Sequence, residues 1–177
     1  MACPLAGEPL TIYAAPDNGQ GQFVPVTYSR TDSNGVWTAT LPPGPSRIVE
    51  VAYEGGGGGA VLGSVSGQIK LQVAAPVRLI RTPRQHVPWG SKLRFIGYLP
   101  GGYVPLRGKH LRVRLGIGSA HTTVATIATQ PDGLFSFSFH FGPGNVVRRY
   151  WFQFLTLPEG DHPFTPGASR KVYVTVG

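Results

Sequence analysis

Residues 31–41 read TDSNGVWTATL, and residues 129–139 read TQPDGLFSFSF. In both stretches a polar, glycine-containing turn precedes a run of aromatic and β-branched residues. Asp, Asn and Gly are typical of tight turns, because they adopt or stabilise the backbone angles that turns require. Aromatic and β-branched residues favour strands. The recurrence of this layout predicts two copies of one β-module.

The composition agrees with an all-β chain. Twenty-five glycines and 17 prolines in 177 residues disfavour helices, and only 14% of the residues are charged. No apolar run is long enough to span a bilayer, and residues 1–5 lack the pattern of a signal peptide, so we predict no membrane insertion. Cys3 is the single cysteine, which excludes an internal disulfide.

The two copies can be aligned through most of their length. Residues 105–113 match residues 4–12, and residues 168–176 match residues 67–73 as a closing strand. We therefore predict an incomplete module over residues 1–75 and a complete one over residues 76–177. The strands predicted for the first module are Leu10–Tyr13, Phe23–Arg30, Val36–Leu41, Ser46–Tyr53 and Ser66–Ala74.

The alignment leaves residues 76–104 without a counterpart in the first module. That module is therefore expected to lack its opening strand or strands. A sandwich without such a strand exposes unpaired backbone groups and part of its core. Two explanations remain open: the sequence begins inside a domain, or another chain supplies the strand by β-augmentation.

Positive charge is concentrated in the second module. Three basic and five acidic residues occur up to Ala75, against thirteen basic and three acidic residues from Pro76 onward. Strand positions in the second module thus predict a cationic surface that could hold an anionic polymer. The alternative is that these cations only solubilise the sheets and protect their edges. The predicted polyanion-binding residues are Arg78, Lys92, Arg94, Lys109, Arg112, Arg114 and Lys171, with Trp89 and Tyr103 as aromatic contacts.

Catalytic chemistry is poorly represented in the sequence. The eight carboxylates are scattered, and the five histidines show no metal-ligand spacing. The one local cluster of acids and histidine, Glu159-Gly160-Asp161-His162, lies in a Pro- and Gly-rich stretch that predicts a solvated loop. We therefore predict no catalytic, metal or cofactor-binding residues, and no enzyme activity.

Several stretches suggest a family. Residues 87–102, 105–109 and 162–176, together with the turns at residues 32–35 and 44–47, resemble the tandem immunoglobulin-like, carboxypeptidase-regulatory-like repeats of exported actinobacterial proteins. The resemblance implies two tandem immunoglobulin-like β-sandwiches that act as stalk or display units outside the cell or on its surface. It implies no catalytic residues.

Two functions follow from these observations. The first is a non-catalytic structural, display or assembly module whose open edge in the first copy pairs with another copy or with a neighbouring chain. The second is a binding module whose cationic second copy holds an anionic polymer, either a cell-surface polysaccharide or a nucleic acid.

Overall fold

The computed structural model describes residues 5–19, 21–55 and 62–177, so Cys3 lies outside the described residues. The described part of the chain contains strands and turns but no helix, which confirms the all-β prediction. The strands are β1 (Pro9–Pro16), β2 (Val24–Arg30), β3 (Arg47–Tyr53), β4 (Ser64–Val65), β5 (Ile69–Leu71), β6 (Arg78–Arg81), β7 (His86–Val87), β8 (Lys92–Tyr98), β9 (His110–Ile117), β10 (Ala120–Ala128), β11 (Leu134–His140), β12 (Arg148–Thr156) and β13 (Val172–Val176).

The chain divides into two compact units, Met1–Val73 (unit 1) and Ala74–Gly177 (unit 2). In unit 2, one sheet has the strand order β10-β9-β12-β13-β7 and the other the order β11-β8-β6. Apart from the two-residue β7, the first, second and fifth strands form one sheet, and the third, fourth, sixth and seventh form the other. This partition is that of an immunoglobulin-like sandwich.

Alternation of side chains produces the core of unit 2. On β8, Leu93 and Phe95 are fully buried between the two sheets, while Lys92 and Arg94 point to solvent. The ring of Phe95 lies 4.8 Å from that of Phe152 and 5.4 Å from that of Phe154, both on β12 of the opposite sheet. Such aromatic contacts bury a large apolar area and hold the two sheets together.

Unit 1 contains one sheet in its described residues, with the order β2-β1-β3-β4 and with β5 also paired to β3. The sheet packs around a small core of Ile12, Ala14 and Val49. Its strands β1, β2, β3 and β5 correspond in that order to β9, β10, β12 and β13 of unit 2. No described strand of unit 1 corresponds to β6, β8 or β11.

The repeat is visible in matching hydrogen bonds. Thr31 Oγ1 accepts the N–H of Glu8 at 3.0 Å, and Thr129 Oγ1 accepts the N–H of Lys109 at the same distance. In return, each threonine N–H donates to the carbonyl oxygen of the same partner, at 3.1 Å and 2.9 Å. In both units, a threonine at the start of the turn therefore anchors the turn to the residue that precedes the strand β1 or β9.

The strand predicted over Val36–Leu41 is wrong, because the described structure has no regular strand there. Its counterpart in unit 2 is β11, which pairs with β8 along its whole length. Residues 36–41 have the sequence of a strand but lack the neighbour that would complete its ladder of hydrogen bonds. The predicted closing strand over Ser66–Ala74 is also shorter, since only Ile69–Leu71 form β5.

Candidate functional site

The predicted cations occupy two opposite surfaces of unit 2 and do not form one face. Lys92 and Arg94 point outward from β8, in the sheet that also contains β6. Arg112 and Arg114 point outward from β9, in the other sheet. Arg78 shares the sheet of β8, and Lys171 immediately precedes β13 in the sheet of β9.

Lys109 departs from its predicted role as a surface cation, because it is only 1% exposed. Its Nζ lies 3.1 Å from Oε2 of Glu159, an ionic contact outside ideal hydrogen-bond geometry. Oε1 of the same carboxylate lies 2.8 Å from Nδ1 of His110. An interior charge must be paired, since the free-energy cost of removing it from water is large. Lys109 is thus a structural residue.

The predicted solvated loop at residues 159–162 is in fact partly buried around this ion pair. Glu159 is 15% exposed and His162 is 5% exposed. Burial alone would raise the pKa of the Glu159 carboxyl, but contacts with His110 and Lys109 outweigh it and lower the pKa below its ordinary value. A second ion pair joins a guanidinium nitrogen of Arg107 to Oδ2 of Asp161 at 2.9 Å. Its side chains are more exposed to solvent than those of Lys109 and Glu159.

His162 stacks on Phe164 with ring centroids 4.8 Å apart. Its Nδ1 has no hydrogen-bond partner in the described part of the chain. Burial and the neighbouring Lys109 charge lower the pKa of His162 to about 4, against the opposing charges of Glu159 and Asp161. His162 is therefore neutral at pH 7 and acts as a packing residue.

This shift predicts a dependence of stability on pH. An unfolded histidine takes up its proton near pH 6.5, but His162 in the folded chain does so only near pH 4. Protonation of His162 therefore does not reduce the unfolding free energy above about pH 7. As the pH falls from about 7 to 4, the unfolding free energy decreases by up to about 3 kcal/mol, because the unfolded chain binds the proton more tightly. Chemical denaturation at several pH values measures it. His162→Gln should reduce the slope of unfolding free energy against pH, whereas the exposed control His140→Gln should not. Equal slopes in the unmodified chain and in both variants would contradict the assignment of this pH dependence to His162.

The predicted aromatic contacts have different environments. Trp89 packs at the edge of the core, with its ring edge-on to Phe141 at 5.9 Å, so it is not a free binding platform. Tyr103 is 49% exposed and adopts a positive φ of 60° in a turn. Trp151 is buried on the outer side of its sheet, where Lys171 Nζ lies 4.2 Å from the ring centroid.

The open surface of unit 1 lies beside the turn at residues 32–35. Trp37 is 39% exposed there, while its counterpart Phe135 in unit 2 is 3% exposed and packs against Phe154. A cleft of about 380 Å³ beside Trp37 is lined by Leu10, Gly35 and Tyr53, among others. In unit 2 the residue corresponding to Gly35 is Gly133, which Leu99 covers at the end of β8.

Other chemistry receives no support from the described residues. Within residues 5–19, 21–55 and 62–177, no group of three His, Asp or Glu side chains is arranged to hold a metal ion. In the same ranges no helix is long and apolar enough to cross a membrane.

Comparison with known proteins identifies no family. No protein-family model matches the chain, and no curated protein sequence does. Solved structures that are similar to it include a tetra-tandem repeat in the extending region of a large adhesion protein (11% identity, TM-score 0.42) and a marsupial T cell receptor (11% identity, TM-score 0.41). Each match covers 98% of this chain, but only 43% of the adhesion-protein chain and 66% of the receptor chain.

Proposed function

We propose that this chain is a non-catalytic structural module of an exported or cell-surface assembly, in which unit 1 accepts a β-strand from an adjoining polypeptide. The observation that carries the proposal is the difference between the two units. Both have the sheet built from the third, fourth, sixth and seventh strands, but the described part of unit 1 lacks the opposing sheet.

Unit 2 shows what kind of segment fits the open surface. There β8 pairs with β11 in register from Lys92↔His140 to Tyr98↔Leu134. Its inward side chains, Leu93 and Phe95, cover the core, and the N–H of Leu99 donates to the carbonyl oxygen of Gly133 at 3.1 Å. The accepted strand therefore has alternating apolar residues and ends near Gly35. Strand addition of this kind derives affinity from backbone hydrogen bonds and specificity from alternate side chains.

Unit 1 has apolar surface for such a strand to cover. Leu5 and Trp37, which line the cleft of about 380 Å³, are 40% and 39% exposed. Ile69, which lies opposite Val49 on the core side of the sheet, is 61% exposed. Exposed apolar groups that lie together mark interaction surfaces in soluble proteins.

A second copy of this chain is a poor donor. Its strand of matching pattern is β8, and withdrawing β8 would expose Leu93 and Phe95, which are at most 1% exposed in unit 2. Losing two buried side chains of this size costs several kcal/mol. The donor is therefore a strand that is free in its own polypeptide. The family resemblance of residues 87–102, 105–109 and 162–176 supports an extracellular or cell-surface setting.

A peptide titration tests the proposal. The intact chain, labelled with ¹⁵N, is titrated with an unlabelled peptide that copies residues 91–99. The indole N–H signal of Trp37 and the amide signals of unit 1 should shift saturably, because the peptide covers Trp37. The control peptide carries Leu93→Ser and Phe95→Ser, which removes the apolar side chains and keeps the charge; it should bind at least tenfold more weakly.

Three results would overturn the proposal. Equal binding of both peptides, or shifts confined to unit 2, would show that the surface beside Trp37 is not a strand acceptor. Dimers that grow with chain concentration in light scattering and dissociate on addition of the peptide would assign the donor strand to a second copy instead.

A further inference from the structure

A cationic cleft of about 440 Å³ lies on unit 2, at the β13 side of the sheet that also contains β9. One wall is the segment from Thr82 to His86, and the floor is the outer side of β13 around Tyr173 and Thr175. Three cations line it: Arg149, Arg170 and Lys171. Its volume falls within the range of about 300–1,000 Å³ that is typical of small-ligand sites.

Backbone pairing fixes the shape of this cleft. The N–H of Thr175 donates to the carbonyl oxygen of Gln85 at 2.6 Å, which holds the wall against β13. The parallel pairing of β7 with β13 covers only Thr175 and Val176, so the wall diverges from β13 before that point. Arg149 on β12 lies directly opposite Thr175 on β13, so both side chains are on the outer face of the sheet. The cleft thus lies beside the part of β13 that has no paired strand on the side opposite β12.

None of the ion pairs that the structure describes compensates the positive charge of the cleft. Strands β7, β9, β10, β12 and β13 contain no Asp or Glu. The ion pairs of unit 2 that the structure describes use Arg107, Lys109 and His110, and both of their carboxylates follow the far end of β12. From Arg149 to Thr156, β12 spans roughly 23 Å at about 3.3 Å per residue. None of the cleft's cations takes part in those pairs.

Aromatic rings hold two of these cations in place. The Arg149 guanidinium lies 4.5 Å from the centroid of the Tyr173 ring. The Lys171 ammonium lies 4.2 Å from the centroid of the Trp151 ring. Such cation–π contacts restrict the side chains before a ligand arrives and reduce the entropy cost of binding.

We propose that this cleft binds an anionic saccharide. Carboxylate or sulfate groups pair with Arg149 and Arg170, whose planar guanidinium groups match such oxyanions in bidentate geometry. Thr82, Gln85 and Thr175 supply hydrogen bonds for sugar hydroxyl groups. Carboxylate and sulfate share this recognition chemistry, so the ligands used as probes must separate them.

A nucleic acid fits the cleft less well. Binding a single strand requires a long cationic groove with aromatic faces free to stack on bases. Here the faces of Tyr173 and Trp151 carry Arg149 and Lys171, and Trp151 is 4% exposed. The proposal concerns unit 2 alone and does not depend on strand acceptance by unit 1.

Calorimetric titration of the full chain tests the inference with four probes: a heparin-derived sulfated tetrasaccharide, a tetragalacturonate, a neutral maltotetraose and a ten-residue oligothymidylate. We expect saturable binding of one or both anionic saccharides, weakening as salt is added. The preference between them identifies sulfate or carboxylate as the recognised group. Tighter binding of the oligothymidylate, or binding of no anionic saccharide at millimolar concentration, would overturn the proposal.

Two double variants, each of which removes two positive charges, locate the binding site. Arg149→Ala/Arg170→Ala removes two charges from the cleft, and Lys92→Ala/Arg94→Ala removes two from the outer face of the opposite sheet. Circular dichroism verifies that both remain folded. The cleft variant should lose at least tenfold in affinity and the control less than twofold. Similar losses in both would mean that net charge, and not this cleft, binds the saccharide.

Discussion

In the Glu159→Gln variant, unit 2 is expected to lose about 3–5 kcal/mol of unfolding free energy, the usual effect of breaking a buried ion pair. Glutamine has nearly the same shape and still accepts a hydrogen bond from His110, but it carries no charge. Lys109, 1% exposed, would then keep an unpaired charge in the interior. Urea denaturation followed by near-ultraviolet circular dichroism measures the loss, because the aromatic core lies in unit 2.

Two further variants isolate the buried charge. Asp161→Asn breaks the more exposed pair with Arg107, in which the two side chains are 42% and 67% exposed, and should cost less than about 1 kcal/mol. The double variant Lys109→Met/Glu159→Gln removes both charges and should recover most of the loss, since an apolar replacement of a buried pair is often neutral. If Glu159→Gln cost no more than Asp161→Asn, the pair would not be a determinant of stability.

A second large effect is expected at Gly108. This glycine has a φ of +80°, and a Cβ added to it would overlap the carbonyl oxygen of Thr129. That carbonyl belongs to the threonine whose side chain and N–H anchor Lys109 to the turn. Gly108→Ala should therefore destabilise unit 2 by backbone strain of about 1–2 kcal/mol plus the cost of displacing Thr129, in total roughly 3 kcal/mol or more.

Gly90 is the matched control for this substitution. Its φ of +78° is nearly the same, but a Cβ there would meet no atom within 4 Å. Gly90→Ala should cost only the backbone strain, about 1–2 kcal/mol. The difference between the two midpoints of urea unfolding reports the steric part. Equal losses would show that the turn at Thr129 adjusts without cost.

Local sequence was sufficient to predict the all-β class and the repeat. On β8, the alternation of Leu93 and Phe95 with Lys92 and Arg94 identifies both faces of the strand, because successive side chains point to opposite sides. The turns at residues 31–36 and 129–134 were also recognisable, because the residues that determine each turn lie within six consecutive positions.

Predictions failed where a distant segment decides the outcome. Val36–Leu41 has strand propensity, but a strand needs a neighbour, and the described part of unit 1 offers none at that position. Lys109 was expected on the surface because it was assigned to a strand position whose neighbours point inward. Its burial depends on Glu159, which the fold brings to it from the end of β12.

The cleft was missed for a related reason. Of its cations, only Lys171 stood among the predicted residues, whereas its neighbour Arg170 and Arg149 on β12 did not. The pairing of β12 with β13 brings Arg149 beside Tyr173 and Thr175. The parallel contact of the short β7 with β13 adds the wall, and a two-residue strand leaves almost no pattern in a sequence.

The placement of acids in unit 2 also affects how fast ligands arrive. At one end of β12, Glu159 and Asp161 neutralise the neighbouring cations, whereas at the other end Arg148 and Arg149 have no such partners. The charges along this strand are therefore asymmetric, and the cleft forms a positive pole. A diffusing polyanion would be turned toward that pole before contact, so its association rate, measured by stopped-flow at two ionic strengths, should fall with salt much more steeply than its dissociation rate rises.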